Sequence, residues 1–157
     1  MANNFITFYE NRPIRSVVDE IDGTWYFVAK DIILVLVNSR DPKQYLKKLR
    51  MRNERFAREW ANIAPFFPIE TAGSLQLMAC VNGCGLARLI QALPTSHRTR
   101  PYKQWLAQIN LSEARLKSID EKRLVLFLAA IHRREQKRQE EKRQHAARWA
   151  GNDFFST

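Results

Sequence analysis

The sequence predicts an α+β fold: a small antiparallel β-sheet built of hairpins, with packed helices, followed by a C-terminal helical extension. Two hairpin signatures and a series of capped helix starts predict it. In the first hairpin, Ile14–Val18 and Trp25–Val28 are rich in aromatic and β-branched residues. They flank the turn Ile21-Asp22-Gly23-Thr24, where Gly23 supplies a positive φ. In the second, Phe67–Thr71 and Leu75–Val81 flank Ala72-Gly73-Ser74. The helix starts are Asp41 followed by Pro42, then Asn82, then Ser112 with Glu113.

Taken in order, Phe5–Tyr9 is a short strand ahead of the first hairpin. Ala29–Val37, AKDIILVLV, fits either a strand or two turns of helix, and Asp31 near its start suits a helix N-terminus. Asn38-Ser39-Arg40-Asp41-Pro42 breaks the chain, and a helix follows from Pro42 to about Met51. Helix, short loop and basic helix share the outline of a helix-turn-helix. A further helix over Asn53–Ile63 sets Phe56 and Trp60 at i, i+4, and Pro65 and Pro68 end it. Asn82 caps a helix over Gly83–Leu93, which Pro94 stops. Thr95 or Ser96 starts the next one, carrying Tyr102, Trp105, Leu106 and Ile109, with Pro101 in or just before its first turn. After Ser112, the residues Leu116, Ile119, Leu124, Phe127, Leu128 and Ile131 form an apolar stripe. His132–Gln144 contains no apolar residue, so it reads as a charged helix or a disordered tail. These patterns divide the chain into residues 1–110 and a helical extension over 111–157 with a basic tail.

Charge is the strongest functional signal. The 157 residues carry a formal net charge of +10, which favours a polyanionic partner, nucleic acid first. The charge is uneven: residues 1–39 net −2, 40–58 net +6, 59–110 net +2 and 111–157 net +4. Between Arg40 and Arg58 eight basic residues stand against Asp41 and Glu54. Within that stretch Tyr45, Leu46 and Leu49 recur at helical spacing. A helix pressing them into a core turns Lys43, Gln44, Lys47 and Arg50 to the wet side. The predicted DNA-binding residues are Arg40, Lys43, Gln44, Lys47, Lys48, Arg50 and Arg52, with Arg98, Arg100 and Lys103 as a second contact at a helix start. The lysines and Arg50 and Arg52 suit phosphates. Gln44 and Arg40 suit base edges, because amide and guanidinium groups match adenine and guanine in the major groove.

No catalytic constellation emerges, and the expectation is no enzyme, no cofactor and no metal. Cys80 and Cys84 are spaced CxxxC, unlike redox or zinc motifs, and are too few for a disulfide framework. His97, His132 and His145 stand at no ligand spacing. Gly83-Cys84-Gly85 is too short for a phosphate loop and reads as a tight strand-to-helix turn. Asp19, Glu20 and Asp22 offer carboxylates to a divalent ion, but the simpler reading is a solvated hairpin tip. Ser96-His97 lacks a third group. The opening MANNFITFYE shows no signal-peptide pattern, and no apolar run reaches membrane-span length. The expectation is a soluble intracellular protein with no membrane partner.

A longer pattern spans Phe8 to Ile109. Its blocks are Ile14-Arg15-Ser16-Val17-Val18, then Gly23-Thr24-Trp25-Tyr26-Phe27-Val28-Ala29-Lys30-Asp31-Ile32, then Asp41-Pro42-Lys43-Gln44-Tyr45 with Lys47-Lys48-Leu49. Gly85-Leu86-Ala87-Arg88-Leu89-Ile90-Gln91-Ala92 with Pro94 follows, and Pro101-Tyr102-Lys103-Gln104-Trp105-Leu106-Ala107 closes it. In order and spacing this resembles the Bro-N domain, the N-terminal module of prophage antirepressors and baculovirus Bro proteins. The resemblance implies a small sheet with helices packed on it, and a helix for AKDIILVLV. It also implies a regulator that binds DNA and relieves repression, encoded by a prophage and acting in the bacterial cytoplasm. Two departures stand out. Only Asn110–Thr157 occupies the place of the family's longer second domain, and the segment at Cys80–Cys84 is altered.

The predicted function is thus a phage-type, antirepressor-like transcriptional regulator that grips double-stranded DNA through a basic helix. The alternative is an antirepressor that binds a repressor protein through apolar and aromatic residues, namely Phe66, Phe67, Trp149, Phe154 and Phe155, without touching DNA. A homodimer stays open.

Overall fold

The computed structural model describes residues 3–108 and 112–155, with side chains described for 4–108 and 112–150. The fold is α+β, a five-stranded antiparallel sheet with seven helices among the described residues. Strand β1 (Asn3–Tyr9) turns into β2 (Arg12–Val18) through Glu10 and Asn11, both at positive φ (50° and 64°). Two such residues between antiparallel strands match the right-handed strand twist. β2 returns as β3 (Trp25–Val28) through the predicted turn, with Gly23 at φ 71°. There the Asp19 carboxylate accepts the N–H of Ile21 and Asp22 that of Thr24, each at 2.9 Å. The acidic tip is occupied by its own backbone.

The second hairpin is β4 (Phe66–Thr71) and β5 (Ser74–Val81), and the strand order is β1-β2-β3-β5-β4. β5 serves two partners. Its Ser74–Ala79 pairs with β4, while Cys80 and Val81 pair with Val28 and Phe27 of β3. The sheet curls until its two edges meet. The Asn4 side chain on β1 donates to the Pro68 carbonyl (3.4 Å) and accepts the Glu70 N–H (3.1 Å) on β4. This blunts an otherwise open strand edge. Val17, Val28, Ile69, Met78 and Cys80 fill the inside of the curl, and Tyr26 and Phe67 close it with ring centroids 4.8 Å apart.

The other face carries Ile14, Phe27 and Val81 into the main core under the helices. Helix α1 (Ala29–Val37) follows β3 without a loop, so the ambiguous AKDIILVLV is helical. No side chain caps its first residue. Instead Asp31 stands beside β2 where β3 has run out. Its carboxylate accepts the Arg15 backbone N–H and two guanidinium N–H groups, all at 2.9 Å. The other end of α1 is held by two more guanidiniums: Arg12 donates to the Leu34 carbonyl at 2.6 Å and to the Asn38 side chain, and Arg98 to the Val35 carbonyl at 3.3 Å. Positive charge against these last carbonyls suits the helix dipole.

Helices α2 (Pro42–Arg52), α3 (Glu54–Ile63) and α4 (Gly83–Ala92) start where sequence reasoning places them, to within a residue. Asp41, Asn53 and Asn82 cap them by accepting the N–H of Gln44, Phe56 and Gly85. Gly83-Cys84-Gly85 reflects two close crossings. A Cβ on Gly83 would lie 1.8 Å from the Leu116 carbonyl oxygen, and one on Gly85 2.7 Å from that of Ile63. Helix α5 (Arg100–Gln108) starts later than expected, because Ser96 and Thr99 bond each other in a turn before it. Ile109 lies outside the described residues. After the short α6 (Glu113–Lys117), the tail is one helix, α7 (Glu121–Phe155). Ile119, Leu124, Leu128 and Ile131 complete the helical side of the fold, and Tyr9 Oη donates to the Leu128 carbonyl at 3.0 Å. Among the described residues no helix is long and apolar enough to cross a membrane.

Two outcomes test this architecture. Asp31→Ala is expected to lower the unfolding free energy by about 1–3 kcal/mol, read from urea titration, because a partly buried guanidinium and a backbone N–H lose their shared acceptor. A loss below about 0.5 kcal/mol, the size of an ordinary surface change, would mean that α1 is held otherwise. Burial pushes the Cys80 thiol up to about 12, and burial with the Glu10 charge pushes the Tyr9 phenol up to about 12. Both groups then hold their protons more tightly in the folded chain than in the unfolded one. Their contribution is intact below the unfolded values, near 8.5 and 10, and is lost as pH climbs to about 12. The urea midpoint should therefore fall steadily over that window, and less steeply in Cys80→Ala; a flat profile would contradict it.

Candidate nucleic-acid interface

Helix α2 has the sequence PKQYLKKLRMR, with five cations and no carboxylate. Leu46 and Leu49 are buried and Tyr45 is half-buried against the main core. At 100° per residue, the direction opposite the two leucines runs through Gln44 and Met51, with Lys47 and Lys48 about 50° to either side. Lys43 and Arg52 stand further round. All six of these residues are exposed. No carboxylate lies within ion-pair distance of Arg40, Lys43, Lys47, Lys48 or Arg52 among the described residues. Of the two acids in this stretch, Asp41 is turned onto the Gln44 backbone N–H as the cap, and Glu54 stands in the first turn of α3.

Arg50 departs from the expected wet face. It is half-buried, and its guanidinium carbon lies 5.4 Å from the centroid of the Trp60 ring on α3. At only about 70° from the buried line, it reaches the α2–α3 seam, where an aromatic face takes the charge. Arg50 belongs to the anchoring of α2, not to its outward surface. The second predicted contact is also occupied in part. Arg98 is bonded to the end of α1, and Lys103 Nζ donates to the Gln91 carbonyl at 3.0 Å, with partial burial holding its pKa below the usual lysine value. Arg100 is exposed at the start of α5.

Sequence reasoning left three exposed residues of this region out of the site. Arg55 and Arg58 extend the cationic surface onto α3, although Arg55 Nε lies 3.4 Å from Glu59, which also pairs with Arg88. Met51 is 77% exposed. Its signal was available, since it lies seven residues after Gln44 and therefore on the same line.

A separate cleft of about 560 Å³ lies between the β1–β2 turn, the end of α1, the 97–102 segment and α7. Cations (Arg12, Arg98, Arg143) and carboxylates (Glu10, Glu135, Glu140) line it together, and Glu10 already pairs with His132 at 3.2 Å. Mixed charge of this kind selects neither anions nor cations. No group of three or more His, Cys, Asp or Glu suited to a metal ion occurs among the described residues.

Compared with known proteins, the chain matches no family model, no curated protein and no solved structure.

Arg50→Ala is expected to lower stability by about 1 kcal/mol through loss of the ring contact and of packing against Trp60. Any polyanion binding by α2 should keep most of its salt dependence. A salt slope that drops by a full unit would return Arg50 to the outward surface.

Proposed function

We propose that this protein is a DNA-binding regulator of the phage antirepressor type, not a catalyst, acting in the cytoplasm of a bacterial host and gripping duplex DNA with the outward face of α2. Lys43, Lys47, Lys48 and Arg52 meet phosphates and position the domain. Gln44 and Arg40 meet base edges. One observation carries this reading: a helix anchored by two buried leucines presents four exposed cations with no carboxylate in ion-pair reach among the described residues. Lys43 with Lys47, and Lys48 with Arg52, are like charges at i, i+4, each destabilising the free helix by a few tenths of a kcal/mol, roughly. A polyanion reverses that sign. The net +10 of the chain and the resemblance to Bro-N point the same way.

A second reading, capture of a repressor protein without DNA contact, has its own observation. Phe66 stands beside Ala79, Pro68 beside Leu77 and Glu70 beside Leu75, so Phe66, Pro68, Leu75 and Leu77 share one face of the β4–β5 hairpin. All four are exposed, Phe66 at 66% and Leu77 at 70%. Of the aromatics expected on such a surface, Trp149 is exposed, with its indole N–H on His145 at 2.7 Å. Phe67 is not available, because it packs on Tyr26 inside the curl. The side chains of Phe154 and Phe155 lie outside those described.

A salt titration of binding to random duplex DNA separates the two. The DNA reading expects binding that weakens steeply with salt. It also expects Lys47→Ala with Lys48→Ala to weaken all sequences alike and to flatten the logarithmic slope by about one to two units. An unchanged slope removes these two lysines from the interface. Retention of the cognate repressor in a pull-down, with no duplex bound at low salt, would favour the second reading.

A further inference from the structure

We infer that α2 reads sequence as well as charge, and that Met51 is the residue that recognises a thymine, through its C5 methyl group. This deepens the proposed DNA binding by α2 and rests on it.

The placement of Met51 is the starting point. Its partners in α2, Leu46 and Leu49, are buried, whereas Met51 lies on the opposite line at 77% exposure. It contributes nothing to the core there, and a long polar side chain would serve a solvated helix face better. Gln44 occupies the same line, with Lys47 and Lys48 on either side of it. Laid into a major groove, such a helix turns its central line to the base edges and its flanks to the two phosphate walls. The lysines then have phosphates on both sides, and the central line holds only an amide and a thioether. Base edges in that groove offer an adenine N6/N7 pair to an amide and the thymine methyl to an apolar group. Methionine is unbranched and polarizable, so it can cover a methyl without a fixed pocket. Gln44 and Met51 are seven residues apart, about 10.5 Å along the helix, or roughly three base-pair steps. The preferred site should therefore show an adenine and a thymine contact about three base pairs apart.

The test starts with duplexes recovered by the full-length protein from a randomised pool. The recovered duplex is then remade with deoxyuridine replacing each thymidine in turn, which removes only the methyl. At one position this should weaken the wild-type protein about fourfold, the effect of one buried methyl. Met51→Ala should bind the thymidine duplex about fourfold more weakly and be indifferent to uridine at that position. Gln44→Ala should lose the preference for adenine about three base pairs away. Because Met51 is exposed, its loss should leave the urea midpoint unchanged, so weaker binding is not misfolding. The inference is overturned if the pool yields no preferred sequence, if no thymine methyl matters to the wild type, or if the sensitivity persists in Met51→Ala. DNA binding through α2 would survive each of those results. Failure of the wild-type protein to retain any duplex at low salt would overturn that binding itself.

Discussion

The Asp31 carboxylate sits where one strand gives out and a helix takes over. β3 ends at Val28, so the backbone N–H of Arg15 on β2 has no partner on β3, and the start of α1 has no capping side chain. Asp31 meets the first need, and its charge in the first turn of α1 suits the positive end of the helix dipole. It accepts the Arg15 N–H and closes a two-pronged contact with the Arg15 guanidinium, which in turn holds its proton more firmly than a free arginine does. Removing either partner leaves a partly or largely desolvated group unpaired, which is why this pair is a constraint on α1 rather than an ornament of the surface.

That constraint passes along the chain. With α1 fixed at one end by Asp31 and at the other by Arg12 and Arg98, Asn38 turns the chain at φ 53° and Asp41 caps α2 a few residues later. The direction of the cationic face is therefore set by contacts outside α2. Its stability follows the same division. Burying Leu46 and Leu49 contributes about 1.5–3 kcal/mol each. The two like-charge pairs subtract only a few tenths each. Burial wins by several-fold, so the core can hold a helix that its own charges oppose. Arg50 reinforces the anchor from the side by lying on Trp60.

The far end of the molecule is governed differently. α7 has 35 residues, about 52 Å of helix. Its first third enters the core through Leu124, Leu128 and Ile131, and from Glu140 to Ala150 every residue is exposed. The pairs Glu135–Arg138 and Glu140–Arg143 add weak support of a few tenths of a kcal/mol each, roughly. A helix continuing from a docked first third avoids the nucleation cost that an isolated charged segment would meet.

The sequence by itself determined the punctuation of this fold. Asp41-Pro42, Asn82 and Ser112 announce helix starts because their caps bond to backbone within three residues, and Gly23 and Gly73 mark turns for the same local reason. The exposed face of α2 was legible too, because helical spacing places Gln44, Lys47 and Lys48 opposite Leu46 and Leu49 and Lys43 at the side. Whatever depends on residues far apart in the chain was decided by the tertiary structure. The apolar pattern of AKDIILVLV does not separate helix from strand, and Asp31 near its start only leans toward helix; the contact of Asp31 with Arg15 and the end of β3 hold it as a helix. Phe66 and Phe67 are chemically alike, yet strand register and sheet curl leave one in solvent and partly bury the other against Tyr26. Arg50 reads as one more exposed cation until α3 brings Trp60 beneath it. In each case the deciding partner lies on another element, and no local pattern encodes its distance.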